Sequence, residues 1–141
     1  SSGGYIHKFN PITNSVTSFS EADAMGYAPT GIKISSDVLH VTDYTRDQVV
    51  EIKKADMTYQ TTYGTSASIG ELQDEIAYHF YGPWRIVGLL TGTFIIADHY
   101  TDVSYDYARL VSFDALDAPS SWTMYGSFGS GENQFNFKFT E

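Results

Sequence analysis

Cysteine is absent from the 141 residues, which excludes disulfides, thiolate metal sites and a cysteine nucleophile. Positive charge is scarce: 8 Lys and Arg stand against 17 Asp and Glu, a formal net charge of −9. Such a field repels phosphate backbones and anionic bilayers, so neither nucleic acid nor a membrane is an expected partner. Ordinary solubility is the plain reading of the charge. No run of about 18 apolar residues occurs, the length a spanning helix needs, and no secretory leader pattern is visible. Also missing are a nucleophile elbow, a phosphate loop and a His-Glu-x-x-His pair. No two of His7, His40, His79 and His99 share a metal-motif spacing, so each reads as a packed or surface side chain. The expectation is therefore no enzyme, with no catalytic residue, no cofactor and no metal.

What is abundant is aromatic: 11 Tyr, 9 Phe and 2 Trp make 16% of a chain that is 42% hydrophobic. Aromatic side chains suit pleated, half-buried surfaces, and the composition predicts an all-β fold. Ser1-Ser2-Gly3-Gly4 reads as a flexible linker.

Three strings align, each with apolar residues second and fifth: Tyr5-Ile6-His7-Lys8-Phe9, Gln48-Val49-Val50-Glu51-Ile52 and Arg109-Leu110-Val111-Ser112-Phe113. A polar turn and another β-like run follow each. Two further strings are hydrophobic and end in aspartate, Val38-Leu39-His40-Val41-Thr42-Asp43 and Thr93-Phe94-Ile95-Ile96-Ala97-Asp98, with the aspartates 55 residues apart. A third class opens each unit: Ala28-Pro29-Thr30-Gly31-Ile32 and Gly82-Pro83-Trp84-Arg85-Ile86, with a weaker copy at Phe135-Asn136-Phe137-Lys138-Phe139. The predicted order is strand a opening the unit, b ending in Asp, then c and d, written c-d, a-b-c-d, a-b-c-d, a along the chain. A four-stranded unit cannot bury both faces alone, and radial stacking of copies does so.

This pattern resembles the NHL repeat on Pro29-Thr30-Gly31-Ile32, on Val41-Thr42-Asp43, and on the Gly-rich lead from Tyr125 to Phe135. It departs at Tyr5 and Gln48, where the family usually has Arg, and in two insertions; a YVTN-like propeller would present nearly the same pattern. The resemblance implies about two and a half to three β-propeller blades, each a four-stranded antiparallel sheet. Residues 1–4 are the linker, 5–27 end one blade, 28–81 form a second, 82–134 a third, and 135–141 start a further one. Rings commonly close with about 4–8 blades. The expectation is thus a partial propeller, completed either by the remainder of a longer chain or by self-association into an oligomer.

The insertions, residues 65–79 between d and a and residues 99–108 between b and c, are expected on one rim, because a and c run opposite to b and d. Ile69, Leu72 and Ile76 suggest a short helix over 70–79, read as a lid on the core. The rim carries Tyr78, His79, Tyr81, His99, Tyr100, Tyr105 and Tyr107. Tyrosine suits binding loops, while packing against neighbouring blades is the alternative. Trp84 and Arg85 lie on strand a, which lines a propeller's channel; Arg85 is a candidate ligand contact, and Trp84 is read as packing between blades. Asp43 and Asp98 are expected to cap the turns that follow them. Asp98, Asp102 and Asp106 match no calcium-loop spacing. The resulting expectation is a non-catalytic binding or structural propeller element with a protein or glycan partner, extracellular or on a cell or virion surface. An axial-site enzyme, such as a metal-dependent lyase or lactonase, is the alternative.

Overall fold

A computed structural model describes residues 5–19, 28–66, 79–89, 92–101, 106–114, 121–128 and 131–135. The described residues are all-β. Strands β1 (Ile6–Asn10) and β2 (Ser15–Phe19) form a hairpin. Strands β3 (Pro29–Ser35), β4 (Val38–Asp43), β5 (Gln48–Lys53) and β6 (Thr58–Tyr63) form an antiparallel meander in chain order. A second meander contains β9 (Pro83–Gly88), β10 (Thr93–Thr101), β11 (Asp106–Asp114) and β12 (Thr123–Tyr125). Two short parallel pairs follow the meanders: β7 (Thr65–Ser66) with β8 (His79–Phe80), and β13 (Ser127–Phe128) with β14 (Gln134–Phe135). The predicted c-d and a-b-c-d units are these sheets. The proposed helix over 70–79 and the further strand after Phe135 fall almost wholly outside the described residues.

The turns have local chemical causes. Asn10 Oδ1 accepts from the Ile12 amide at 3.0 Å, closing the turn between β1 and β2, and Asn14 completes it with φ of 53°. Asp43 Oδ1 accepts from the Thr45 amide at 3.1 Å and the Arg46 amide at 3.4 Å, so this aspartate caps the turn after it. The opening strands share a bulge. Pro29 pairs with Asp43 and Pro83 with Asp98, each beside a register shift. A proline has no N–H for the ladder, so both sit where pairing begins.

The sheets stack in three layers. Leu39, Val41, Val50 and Ile52 on one face of the middle sheet pack with Ile6 and Phe19 of the hairpin. On its other face, Val49 packs with Phe80, Ile86, Phe94, Ile96, Val111 and Phe113. Strands β4 and β5 therefore bury both faces, as their near-continuous hydrophobic runs require. The opening strand of the third layer lies directly on the middle one: Thr30 Oγ1 donates to Pro83 O at 2.9 Å and Thr42 Oγ1 to Trp84 O at 3.3 Å. Gly31 accounts for the closeness, since a Cβ there would meet Trp84 O at 3.0 Å and Arg85 Cα at 3.2 Å.

One cross-strand pair recurs in all three layers: Ile6 with Phe19, Val49 with Tyr63, and Leu110 with Tyr125. The first pair is buried under the middle sheet, and the second faces the third sheet, where Tyr63 meets Phe113 at 5.6 Å between ring centroids. The third pair lies on the outer face of the last sheet, where Tyr125 is 53% exposed.

Candidate functional site

Strands β7 and β8, the turn between β4 and β5 and the β10 backbone at His99 lie at one end of the sheets. Tyr44 N donates to Ala28 O at 3.1 Å in the middle sheet, and His99 N to Gly82 O at 3.0 Å in the third. Ser66 Oγ donates to Asp47 Oδ2 at 2.6 Å, tying β7 to the turn between β4 and β5. The shared rim inferred from strand direction is thus present in its described parts.

A buried ion pair organises this rim. Arg109 Nε donates to Asp98 Oδ2 at 3.0 Å, with the side chains 1% and 0% exposed. Asp98 Oδ1 accepts from the amides of Tyr81 at 3.0 Å and Gly82 at 2.9 Å, and a second Arg109 nitrogen donates to His79 O. Burial raises the Asp98 carboxyl above its ordinary range, opposed by Arg109 and the two amides. This departs from the turn-capping role expected of Asp98. Strand β10 runs on past it to Thr101, paired in register with β11 as far as Asp106, so no turn follows Asp98 to be capped. The signal available in sequence was that Asp98 ends b and Arg109 opens c, which sets them opposite each other across the hairpin.

The expected rim residues separate accordingly. Tyr78 and Tyr105 lie outside the described residues. Tyr100 and Tyr107 are cross-strand partners on the extended hairpin rather than loop residues, because residues 99–101 and 106–108 of the b–c insertion belong to β10 and β11. His99 is buried at 7% exposure, against its expected place on a presenting loop. His79 and Tyr81 are half-buried beside the ion pair. Trp84 packs edge-on to Tyr44, with centroids 5.5 Å apart. Arg85 is exposed, away from the rim. It donates to Thr30 O at 3.4 Å and borders an open groove of about 500 Å³ shared with Tyr5, Ile6, His7, Thr30 and Ile32.

A polar cluster missed in sequence lies between the middle and third sheets. Tyr63 donates from its hydroxyl to Glu51 Oε1 at 2.8 Å, His40 Nδ1 lies 3.2 Å from the same oxygen, and the His40 ring packs on Phe94 at 4.2 Å. Burial pushes the Glu51 carboxyl up, but His40 and Tyr63 outweigh it and hold it below its ordinary range. Among the described residues, no three His, Asp or Glu side chains converge to hold a metal ion.

Asp47 yields a pH prediction. Burial pushes its carboxyl up to about 6 from an ordinary 3.8; Asp98 and Asp43 add to the rise, and Ser66 opposes it. The folded chain thus retains a proton between those values that the unfolded chain releases, and stability falls as pH rises through that window. Asp47→Asn abolishes the titration, keeps an acceptor for Ser66, and tolerates the positive φ of 54° at this site. The variant should be more stable than the parent at pH 7 by about 0.5–1 kcal/mol, a figure reduced by solvent screening. The gain should vanish below about pH 4. Melting temperatures of both proteins at pH 4 and pH 7 check this.

No protein-family model matches this chain, and no curated protein matches it in sequence.

Proposed function

We propose that the chain is a non-catalytic β-propeller element that binds a protein or glycan through the rim around the β10–β11 hairpin. The observation that carries the reading is the middle sheet: a four-stranded meander with a second meander of the same strand order on one face and the β1–β2 hairpin over part of the other, the opening strands β3 and β9 lying side by side. Radial stacking is the arrangement that buries such faces. The buried Asp98–Arg109 pair supports the binding role by fixing the base of a hairpin that carries Tyr100 and Tyr107, and loops on a rigid scaffold are favoured recognition sites. The acidic balance disfavours nucleic acid. Among the described residues, no helix is long and apolar enough to cross a membrane.

Replacing residues 100–107 by a two-residue Asn-Gly turn tests the proposal, since such a turn closes a hairpin. On a glycan array and a panel of extracellular proteins, the parent should bind at least one ligand, and the shortened chain should lose that binding while melting within about 3 °C of the parent. Undiminished binding after shortening would place recognition elsewhere. Stoichiometric zinc or calcium in the purified protein would favour an axial-site enzyme instead.

A further inference from the structure

Arg109 donates to acceptors of different kinds. Its Nε donates to the Asp98 carboxylate, and one terminal nitrogen donates to the His79 carbonyl. The other terminal nitrogen, Nη1, donates to Met124 Sδ at 2.8 Å. The sulfur is out of keeping with the two oxygens. A thioether accepts weakly, and the guanidinium is buried and cannot lose its charge.

The middle sheet fills the same place differently. Asp98 and Arg109 are cross-strand partners, and their equivalents there are the partners Asp43 and Gln48. On the fourth strand Met124 pairs with Val111, and Thr62 pairs with the equivalent Val50. One sheet thus has a hydroxyl where the other has a sulfur. The sulfur stands in the sheet whose third strand carries a full charge.

Met124 is also placed to react. It is half-buried on β12 between exposed Thr123 and Tyr125, at the margin of the core built on Val111 and Phe113. Met57 is its opposite, 4% exposed in the core between the hairpin and the middle sheet. Met25 lies outside the described residues.

We propose that Met124 is an oxidation site for peroxides, and that its sulfoxide gives Arg109 an oxygen acceptor in place of the sulfur. A sulfur lone pair attacks one oxygen of hydrogen peroxide, the O–O bond breaks and an S=O bond forms. The second oxygen leaves with both hydrogens as water. The sulfur gives up two electrons and the peroxide takes them. Arg109 engages one lone pair of the sulfur, which leaves the other to react. The methionine side chain has three rotatable bonds, so the new oxygen can turn to the guanidinium. A charge-assisted N–H···O bond then replaces a weak N–H···S bond. Sulfoxide formation ordinarily disrupts a core. Here it ties β12 more firmly to the ion pair at the base of the β10–β11 hairpin. The inference needs that ion pair and no ligand at the rim.

The test treats the whole chain, carrying Met25→Leu, with hydrogen peroxide. Peptide mass mapping should find the added oxygen on Met124 about tenfold sooner than on Met57. The chain oxidised at Met124 should melt at or above its unoxidised parent. Met124→Leu keeps the size but has no acceptor, and it should melt below the oxidised chain. In Arg109→Leu the sign should reverse, with oxidation lowering the melting temperature, because the new oxygen meets no guanidinium. Equal oxidation of Met124 and Met57 overturns the proposal. So does a Met124 sulfoxide that melts several degrees below the parent, or a Met124→Leu variant that melts as high as the oxidised chain. Those comparisons decide the matter even where Arg109→Leu fails to fold.

Discussion

Asp98→Ala is expected to lose about 3–5 kcal/mol of stability, the usual cost of removing one partner from a buried ion pair. The substitution strands the Arg109 guanidinium at 1% exposure and leaves the Tyr81 and Gly82 amides without their acceptor. The reverse truncation should cost less. In Arg109→Met, Asp98 keeps both amides, and its carboxyl, already raised by burial, can take up a proton. A guanidinium has no such escape, because it cannot be deprotonated in a protein. Urea unfolding should therefore rank the parent above Arg109→Met and Arg109→Met above Asp98→Ala, with the double variant recovering part of the larger loss. Equal losses from the two single variants would mean that the amide contacts contribute little.

A second large effect is expected at Gly64. Its φ is +84°, and an added Cβ would stand 2.3 Å from the Phe80 ring. That ring is fully buried and packs against Trp122, with centroids 4.9 Å apart, so it has no room to move. Gly64→Ala should cost about 3 kcal/mol, from the left-handed backbone and the overpacking together. Gly126 is the internal control. It stands in the equivalent position before β13, with φ of +77° and a Cβ position 2.1 Å from Phe135. Gly126 is exposed and Phe135 only half-buried, so the ring can turn aside. Gly126→Ala should cost less, about 1–2 kcal/mol, mostly the backbone contribution with a close approach of 3.0 Å to Asn133 O. Denaturant midpoints of the two variants measure the difference.

Much of the sheet architecture was legible because the repeats fall at matching offsets. Pro29 and Pro83 mark the opening strands, Asp43 and Asp98 the ends of the second strands, and Ile6, Val49 and Leu110 a common position on the third. The common rim followed from strand direction alone. The candidate site was less legible, because its decisive contacts join residues remote in sequence. Nothing near His79 announces that its carbonyl receives Arg109, and nothing near Glu51 announces that Tyr63 and His40 close on one carboxylate oxygen. The insertion after Asp98 carries no turn signature, so its aromatics read as loop residues, although the backbone pairs through Thr101 and Asp106. The pairs β7–β8 and β13–β14 are two residues per strand, too short for any periodicity to show.

The account stands on the claim that successive sheets bury their faces on one another. Nuclear Overhauser contacts in solution test this most directly. Contacts should cross both interfaces, from the His40 ring to the Phe94 ring, whose centroids lie 4.2 Å apart, and from Ile6 and Phe19 to Val41 and Val50. Contacts within each sheet but none between the sheets would contradict the account.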